Sequence, residues 1–450
     1  MSHPHSKPKR VVILGGGLAG LSALWHLQKA GYENCFLFEK ESRIGGLTRS
    51  ETVNGFTFDY TGHLLHFRDE SIRKLVMELL GDNIHYVARN SWIFSKGVYT
   101  RYPFQTNLHG LPPDVIKECI LGFVQATANG HRDGATSAGS MSTSEFQNFE
   151  EWIYSTLGSG IARHFMLPYN EKLWTVPLKE LTCEWMGRFV PGTSLEQILD
   201  GALSDQSGNI GYNASFGYPL RGGIEALPQA FANSLRNVYS GFEVSQVDLE
   251  AKRMTFLNRE QTDFDVLVSS MPMPALMKAA CRVPTSIRKA NDLLRFTSVY
   301  NVNLGVDRVV SDKHWIYFPE PEFIFYRVGF AHNFSPHQSP PGCSSIYAEV
   351  AYSPWKPIDK RQTTEQVKQD LIRSGILTSQ DRLMSQLCLD IPCAYVLYDQ
   401  RHRENVGLIR SYLQRCGVRI IGRYGSWEYS GMEDAIRQGM TVAKELIQTH

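Results

Sequence analysis

The sequence predicts an α/β chain in which a Rossmann-type lobe carries a helical lobe and an antiparallel sheet lobe. Three observations point there. A β-branched run, Val11-Val12-Ile13-Leu14, stops at a glycine turn, and Leu18, Leu21, Leu24 and Trp25 then recur at three-to-four spacing, the pattern of strand, tight turn and helix. Between Asp114 and Gly201 the apolar period stays helical, with Val115, Ile116, Cys119, Ile120 and Phe123 on one face. After Phe242 the period drops to two, as in strands with one buried face.

The elements follow in order. A second apolar run, Cys35 to Phe38, closes at Glu39, so the chain opens as a βαβ unit that feeds a parallel sheet. The stretch His131 to Ser144 is small, polar and aperiodic, which predicts a solvated loop. Phe242, Val244, Val247 and Leu249 lead to a turn at Glu250 to Arg253; Val299 to Val306, and then Ile346, Ala348, Val350 and Tyr352, read as further antiparallel strands. A capped helix is expected over Thr364 to Ser374, closed by Gly375, and a strand at Val418 to Ile421 leads into a C-terminal helix. The expected lobes are a Rossmann-type lobe built from residues 1–100, 210–290 and 390–450, a helical lobe at 101–209 and an antiparallel sheet lobe at 291–389.

Size and composition narrow the class of function. A chain of 450 residues exceeds what one core serves, and 42% apolar with 20% charged residues excludes disordered, collagen-like and coiled-coil chains. Lys and Arg number 46 against 45 Asp and Glu, so no bulk field recommends nucleic acid or an anionic membrane, and any affinity for phosphate must be local. The eight cysteines include no CxxC pair, which argues for packed thiols, no bound metal and a cytoplasmic address. Lys7 to Arg10 followed by Val11 to Leu27 imitates a signal peptide, but Gly15, Gly16, Gly17 and Gly20 interrupt it, no small-residue cleavage site follows, and no integral membrane segment is expected.

Gly15-Gly16-Gly17-Leu18-Ala19-Gly20 has the G-x-G-x-x-G spacing between a strand and a helix. Glycine lets the backbone turn sharply and approach a pyrophosphate, while the helix N-terminus offers unpaired N–H groups and positive dipole. Glu39, at the end of the second strand, suits a ribose 2′-hydroxyl. Spacing alone leaves NAD and FAD open.

Arg43-Ile44-Gly45-Gly46-Leu47-Thr48 adds a second glycine turn just past the acid. Here the sequence resembles the flavin amine-oxidase-like superfamily, whose members carry E-x(3)-R-x-G-G at this place. That resemblance implies FAD, a Rossmann-type lobe of the glutathione-reductase-like kind, and Lys40, Arg43, Gly45, Gly46, Leu47 and Thr48 along the cofactor. Four further stretches are similar to the UDP-galactopyranose mutase family, in its eukaryotic-type and related bacterial branch. They are Tyr102-Pro103-Phe104-Gln105, Leu167 to Trp174 (LPYNEKLW), Tyr326-Arg327 ahead of Asn333-Phe334-Ser335-Pro336, and Gly422 to Tyr429 (GRYGSWEY).

The resemblance implies roles position by position. Arg327 and Arg423 clamp a diphosphate, for which planar guanidinium forks are suited. Tyr102 and Phe104 stack on uracil, Gln105 and Asn170 read the base, and Trp174 lies beside the sugar. Tyr317 and Tyr429 offer hydroxyls to phosphate, as does a tyrosine at Tyr395 or Tyr398. Gly62-His63 matches a loop whose imidazole sits beside the flavin, making His63 and Arg327 the catalytic candidates. Asn213 aligns with a flavin- or substrate-side asparagine, and Val244, Met271, Gly422, Arg423, Tyr429, Met432, Glu433 and Asp434 fall along the cofactor. Without the resemblance, an aromatic cluster of this kind would be read as core and a single histidine as a packed side chain.

The activity implied is redox-neutral: reduced flavin N5 bonds to the anomeric carbon of a UDP-hexopyranose, galactose by default, and the sugar recloses as a furanose. UDP-sugar is then the substrate, NAD(P)H or another reductant keeps FAD in its active reduced form, and an oligomer is compatible. Two departures stand out. Trp185-Met186-Gly187-Arg188-Phe189-Val190 displaces an arginine by one position, and Ser430 to Ala435 replaces polar amides at the flavin edge. They motivate the alternative of an FAD-dependent oxidoreductase taking hydride from a nucleotide-linked sugar or an amine; a non-catalytic nucleotide-sugar sensor is a third.

Overall fold

The computed structural model describes residues 9–128, 146–186, 190, 192–206 and 214–449. The predicted loop at His131 to Ser144, the Gly187 to Phe189 stretch and Asn213 lie outside the described residues.

A parallel five-stranded sheet forms the base, in the order Val418–Ile420, Val266–Ser269, Val11–Leu14, Cys35–Glu39, Val238–Ser240. Val11 pairs with Cys35 on one side and Val266 on the other, so segments far apart in the chain flank the opening strand. All four residues of Val11–Leu14 are buried, as a near-continuous apolar run in a parallel sheet demands. Helix Leu18–Lys29 covers one face, and the C-terminal helix Met432–Thr449 lies against it, with Ser22 Oγ donating to the Ile436 carbonyl at 2.8 Å. A Cβ at Gly439 would stand 2.5 Å from the Ala19 carbonyl oxygen, so the two backbones meet where no side chain fits.

The second large sheet has seven strands, ordered Leu383–Val396, Phe296–Val306, Ser344–Tyr352, Arg327–Phe330, Trp315–Tyr317, Ser91–Ser95, Val98–Arg101. It corrects two expectations. The sheet is not wholly antiparallel, because Trp315–Tyr317 runs parallel to Ser91–Ile93. The hairpin Ser91–Arg101 belongs to this sheet although all of it but Arg101 falls within residues 1–100, and Leu383–Val396 crosses the expected boundary at 389. Both misplacements arise from long-range pairing that local periodicity does not encode.

The helical lobe comprises Pro113–Ala128, Phe149–Ile161, Leu167–Trp174 and Leu195–Leu203; a π-helical turn at Ala162–Met166 introduces Leu167–Trp174. Such widened turns re-aim the residues that follow. The helix expected from Thr364 starts earlier, at Lys360, because Asp359 Oδ1 accepts from Gln362 N at 2.8 Å and caps it there. Among the described residues no helix is long and apolar enough to cross a membrane.

Candidate active site

The nucleotide cradle is built by two glycine turns in contact. Gly15 has φ 101°, closed to most side chains, and a Cβ at Gly20 would stand 2.0 Å from the Gly15 carbonyl oxygen. Helix Leu18–Lys29 begins at Gly17 with no side-chain cap, leaving its first N–H groups for a ligand. The second turn docks on the first: Gly45 N donates to Gly16 O at 2.8 Å, and Thr48 Oγ1 to Gly45 O at 2.7 Å. Glu39 turns inward, accepting from Gly16 N at 2.6 Å and Glu41 N at 2.9 Å. This double cradle fits FAD.

Not every predicted cofactor residue points there. Lys40 is exposed and 3.3 Å from Glu41, and Arg43 is held by Glu51 and Glu225. Leu47, Val244, Met271 and Met432 are part-buried packing residues. Glu433 accepts from Arg68 N at 2.7 Å and Asp69 N at 2.6 Å, while Asp434 accepts from Gly431 N at 2.9 Å; both also meet Arg437. Glu433 therefore braces the loop that carries His63, whereas the Asp434 carboxylate serves the turn that opens its own helix.

His63 follows Thr61, at φ 76°, and Gly62, where a Cβ would lie 2.4 Å from the Tyr347 hydroxyl oxygen. Its Nδ1 is buried and has no partner among the described residues. Burial first, then the positive charges of Arg423 and Arg327, push the imidazole down to about 4, against the pull of the Thr61 carbonyl. At neutral pH it is uncharged. Two guanidinium groups, one on strand Arg327–Phe330 and one on the helical turn Gly422–Gly425, thus bear on one imidazole.

Arg327 forks onto Glu349, Nε to Oε2 at 2.6 Å and Nη2 to Oε1 at 2.8 Å. Arg423 has no carboxylate partner among the described residues. Its Nη1 donates to Ser430 O at 2.8 Å, its Nη2 to Ala394 O at 3.2 Å, and its buried Nε is unpartnered. The Arg423 guanidinium lies 4.6 Å from the Tyr429 ring centre and 5.3 Å from that of Tyr395. A half-buried cation held only by carbonyls and ring faces is suited to an incoming anion.

Aromatic rings wall this space. Tyr395 and Tyr429 stack at 6.1 Å, with Trp174 edge-on to Tyr395 at 5.8 Å. Tyr317 packs against Tyr102 at 5.0 Å and Tyr169 at 5.3 Å. Burial raises Tyr395 to about 12, so its hydroxyl stays protonated. A cavity of about 570 Å³ opens beside Trp185, Tyr398, Tyr429 and Ser430.

The structure separates residues that the sequence left together. Tyr398 stands behind the wall: its hydroxyl accepts from Tyr429 N at 2.8 Å and its ring stacks on His402 at 4.0 Å. Phe104 is fully buried and stacked on Phe165 at 5.1 Å, so no ring face is free for a base, a correction to its pairing with Tyr102. Gln105 is buried, and Asn170 donates to Met166 O at 2.8 Å within its own helix. Tyr347, Glu349 and Tyr169 were not anticipated; a glutamate in an apolar strand was the one available signal for Glu349.

Residues 18–447 match the profile of the flavin containing amine oxidoreductases. The chain superposes on a crystal structure of reduced UDP-galactopyranose mutase with a TM-score of 0.89 and 28% identity, covering 99% of this chain and 95% of that one. Among curated relatives, coproporphyrinogen III oxidase of Mycobacterium tuberculosis is 24% identical over 212 residues, 46% of this chain, and the match spans only 40% of that enzyme's length. The 4,4'-diapolycopene oxygenase of a Methylomonas species is 24% identical, over 83% of this chain and 81% of that one. The chain resembles UDP-galactopyranose mutase within a wider family of flavoproteins. It belongs to the flavin containing amine oxidoreductase family, with FAD as its cofactor.

Proposed function

We propose that this flavoprotein is a UDP-sugar mutase that interconverts UDP-hexopyranose, galactopyranose by default, and UDP-hexofuranose without net redox change. The observation that carries the proposal is the pairing of Arg327 and Arg423 around one neutral imidazole, with Arg423 lacking any described carboxylate partner. Likeness to a reduced UDP-galactopyranose mutase supports it.

When bound and reduced, FAD supplies N5 as the nucleophile toward the anomeric carbon, so no nucleophilic side chain is required. The residues of the chain then bind and orient. Arg423 offers Nε and Arg327 offers Nη1 to the diphosphate, and Glu349 fixes the plane of the Arg327 fork. Holding UDP after departure keeps it at hand for recapture, a proximity effect that intramolecular reactions put at roughly 10⁵ M or more. Tyr317, Tyr395 and Tyr429 contribute hydroxyls, and Tyr102 and Trp174 apolar walls to exclude water. His63, uncharged at neutral pH, hydrogen-bonds without adding a third positive charge.

The deciding experiment incubates FAD-loaded protein with UDP-galactopyranose, with and without dithionite, and separates the products by chromatography. UDP-galactofuranose formed only under reduction is expected. Reduced, flavin-replete protein that binds UDP and makes no furanose would overturn the proposal. One observation favours hydride transfer instead: in the segment that the resemblance puts at the flavin edge, Glu433 is spent on the Arg68 and Asp69 amides and Asp434 on the Gly431 amide. Anaerobic bleaching of oxidised FAD by a nucleotide sugar or an amine would mark that alternative.

A further inference from the structure

Behind the Tyr398 ring lies a second cavity, of about 700 Å³, within the range that small-molecule sites occupy. One wall is a face of helix His402–Arg415, presenting His402, Arg403, Val406, Gly407 and Arg410 over successive turns; the other is formed around Thr182–Glu184.

Gly407 is the unexplained residue. It sits inside a regular helix, where glycine is disfavoured relative to alanine. No atom lies within 4 Å of a Cβ built there, and its φ is not positive, so neither packing nor backbone conformation demands glycine. Gly407 is exposed at the mouth of the cavity, so a large side chain there would project across the opening. The charge of the lining is also lopsided. Arg403 reaches Glu184 at 3.6 Å, whereas Arg410 donates Nη2 only to the Ser426 carbonyl, at 3.2 Å, with no described carboxylate beside it. Val406 and Cys183 add apolar surface.

We propose that this cavity is a second binding site, for a small organic anion whose carboxylate or phosphate head meets Arg410 and whose apolar body fills the space beside Gly407. Occupancy is transmitted to the first site, a coupling that rests on the mutase proposal. Arg410 holds the Ser426 carbonyl and His402 Nε2 the Trp427 carbonyl, at 3.0 Å, in the short segment joining Arg423 to Tyr429. The His402 ring also lies on Tyr398, whose hydroxyl takes the Tyr429 N–H. A ligand that shifts this segment moves the ring beneath Arg423, and by linkage UDP alters the anion's affinity by the same factor.

Calorimetric titration of the FAD-loaded protein tests the site, with phenyl phosphate and benzoate as probes, benzyl alcohol as neutral control, and UDP saturating the first site. One equivalent of at least one anion is expected to bind, and which of the two does so identifies the head group; benzyl alcohol is expected not to. R410Q should weaken binding at least tenfold, and G407F should abolish it with flavin content and melting temperature retained. UDP affinity should change at least threefold when the anion is saturating. The proposal is overturned if neither anion binds, or if each binds G407F as it binds the parent. The G407F comparison decides the second site with or without UDP, whereas failure of UDP itself to bind strikes only the mutase proposal.

Discussion

Arg327 spends its Nε and Nη2 on the two oxygens of Glu349, a residue with no exposed surface, and among the described residues no bond takes its Nη1. The carboxylate therefore fixes the guanidinium plane and leaves one edge to face the site. Removing one partner of a buried pair strands the other charge, which costs about 3 kcal/mol or more. Glu349→Gln is expected to lower the melting temperature and to weaken UDP binding at least tenfold with flavin still bound; UDP affinity equal to the parent would show that the fork needs no fixing.

Arg423 makes a complementary prediction. Lysine keeps the charge but loses the planar fork. Arg423→Lys should reduce UDP affinity at least about tenfold, or roughly 1.4 kcal/mol, while absorbance of bound flavin per chain stays constant. Undiminished UDP binding by this variant would remove Arg423 from the diphosphate clamp.

The Gly62 loop and Tyr347 form a testable pair. A methyl group at Gly62 would meet the Tyr347 hydroxyl oxygen at 2.4 Å and the ring carbon bearing it at 3.1 Å. Gly62→Ala should displace His63 and depress turnover, and adding Tyr347→Phe should restore part of it by deleting the nearer atom. A double variant no better than the single one would place the obstruction elsewhere. By contrast Gly20→Ala, with a Cβ 2.0 Å from a backbone oxygen, has no such relief and should yield colourless protein.

Acid stability follows from three imidazoles, His314 buried and His63 and His66 half-buried. His63, His66 and His314 are each held down to about 4, with burial the largest cause. Unfolding frees them to bind protons below about pH 6.5, so the native state loses stability as pH falls from there toward 4. Asp59, pushed up to about 6 by burial, works in the opposite direction between about 6 and 4. Denaturation midpoints measured between pH 7 and 4.5 should fall, and His63→Gln should make that fall shallower; an unaltered slope would mean that His63 titrates normally.

Much of this was legible in the chain, unevenly. The strand, glycine turn and helix at Val11–Lys29 are local features, and local spacing reveals them. Alternation in Ile346–Tyr352 shows two faces, yet not that Tyr347 and Glu349 lie opposite Gly62 and Arg327, since those partners come from remote segments. Tyr395 and Tyr398 lie close together in sequence, and only the chain's exit from strand Leu383–Val396 puts one in the wall and the other behind it. Phe104 misled because motif position cannot reveal that Phe165 already covers its face. The resemblance to the mutase family located the arginines, and tertiary geometry brought them together.

The closing strand Val418–Ile420 and helix Met432–Thr449 complete the sheet and cover Leu18–Lys29, the helix that opens the nucleotide turn. Docking that helix joins Ser22 to Ile436, 414 residues apart in the chain, and contacts of such long sequence separation form slowly. The nucleotide turn is therefore backed only late in folding, and flavin uptake on refolding is expected to lag behind collapse of the helical lobe.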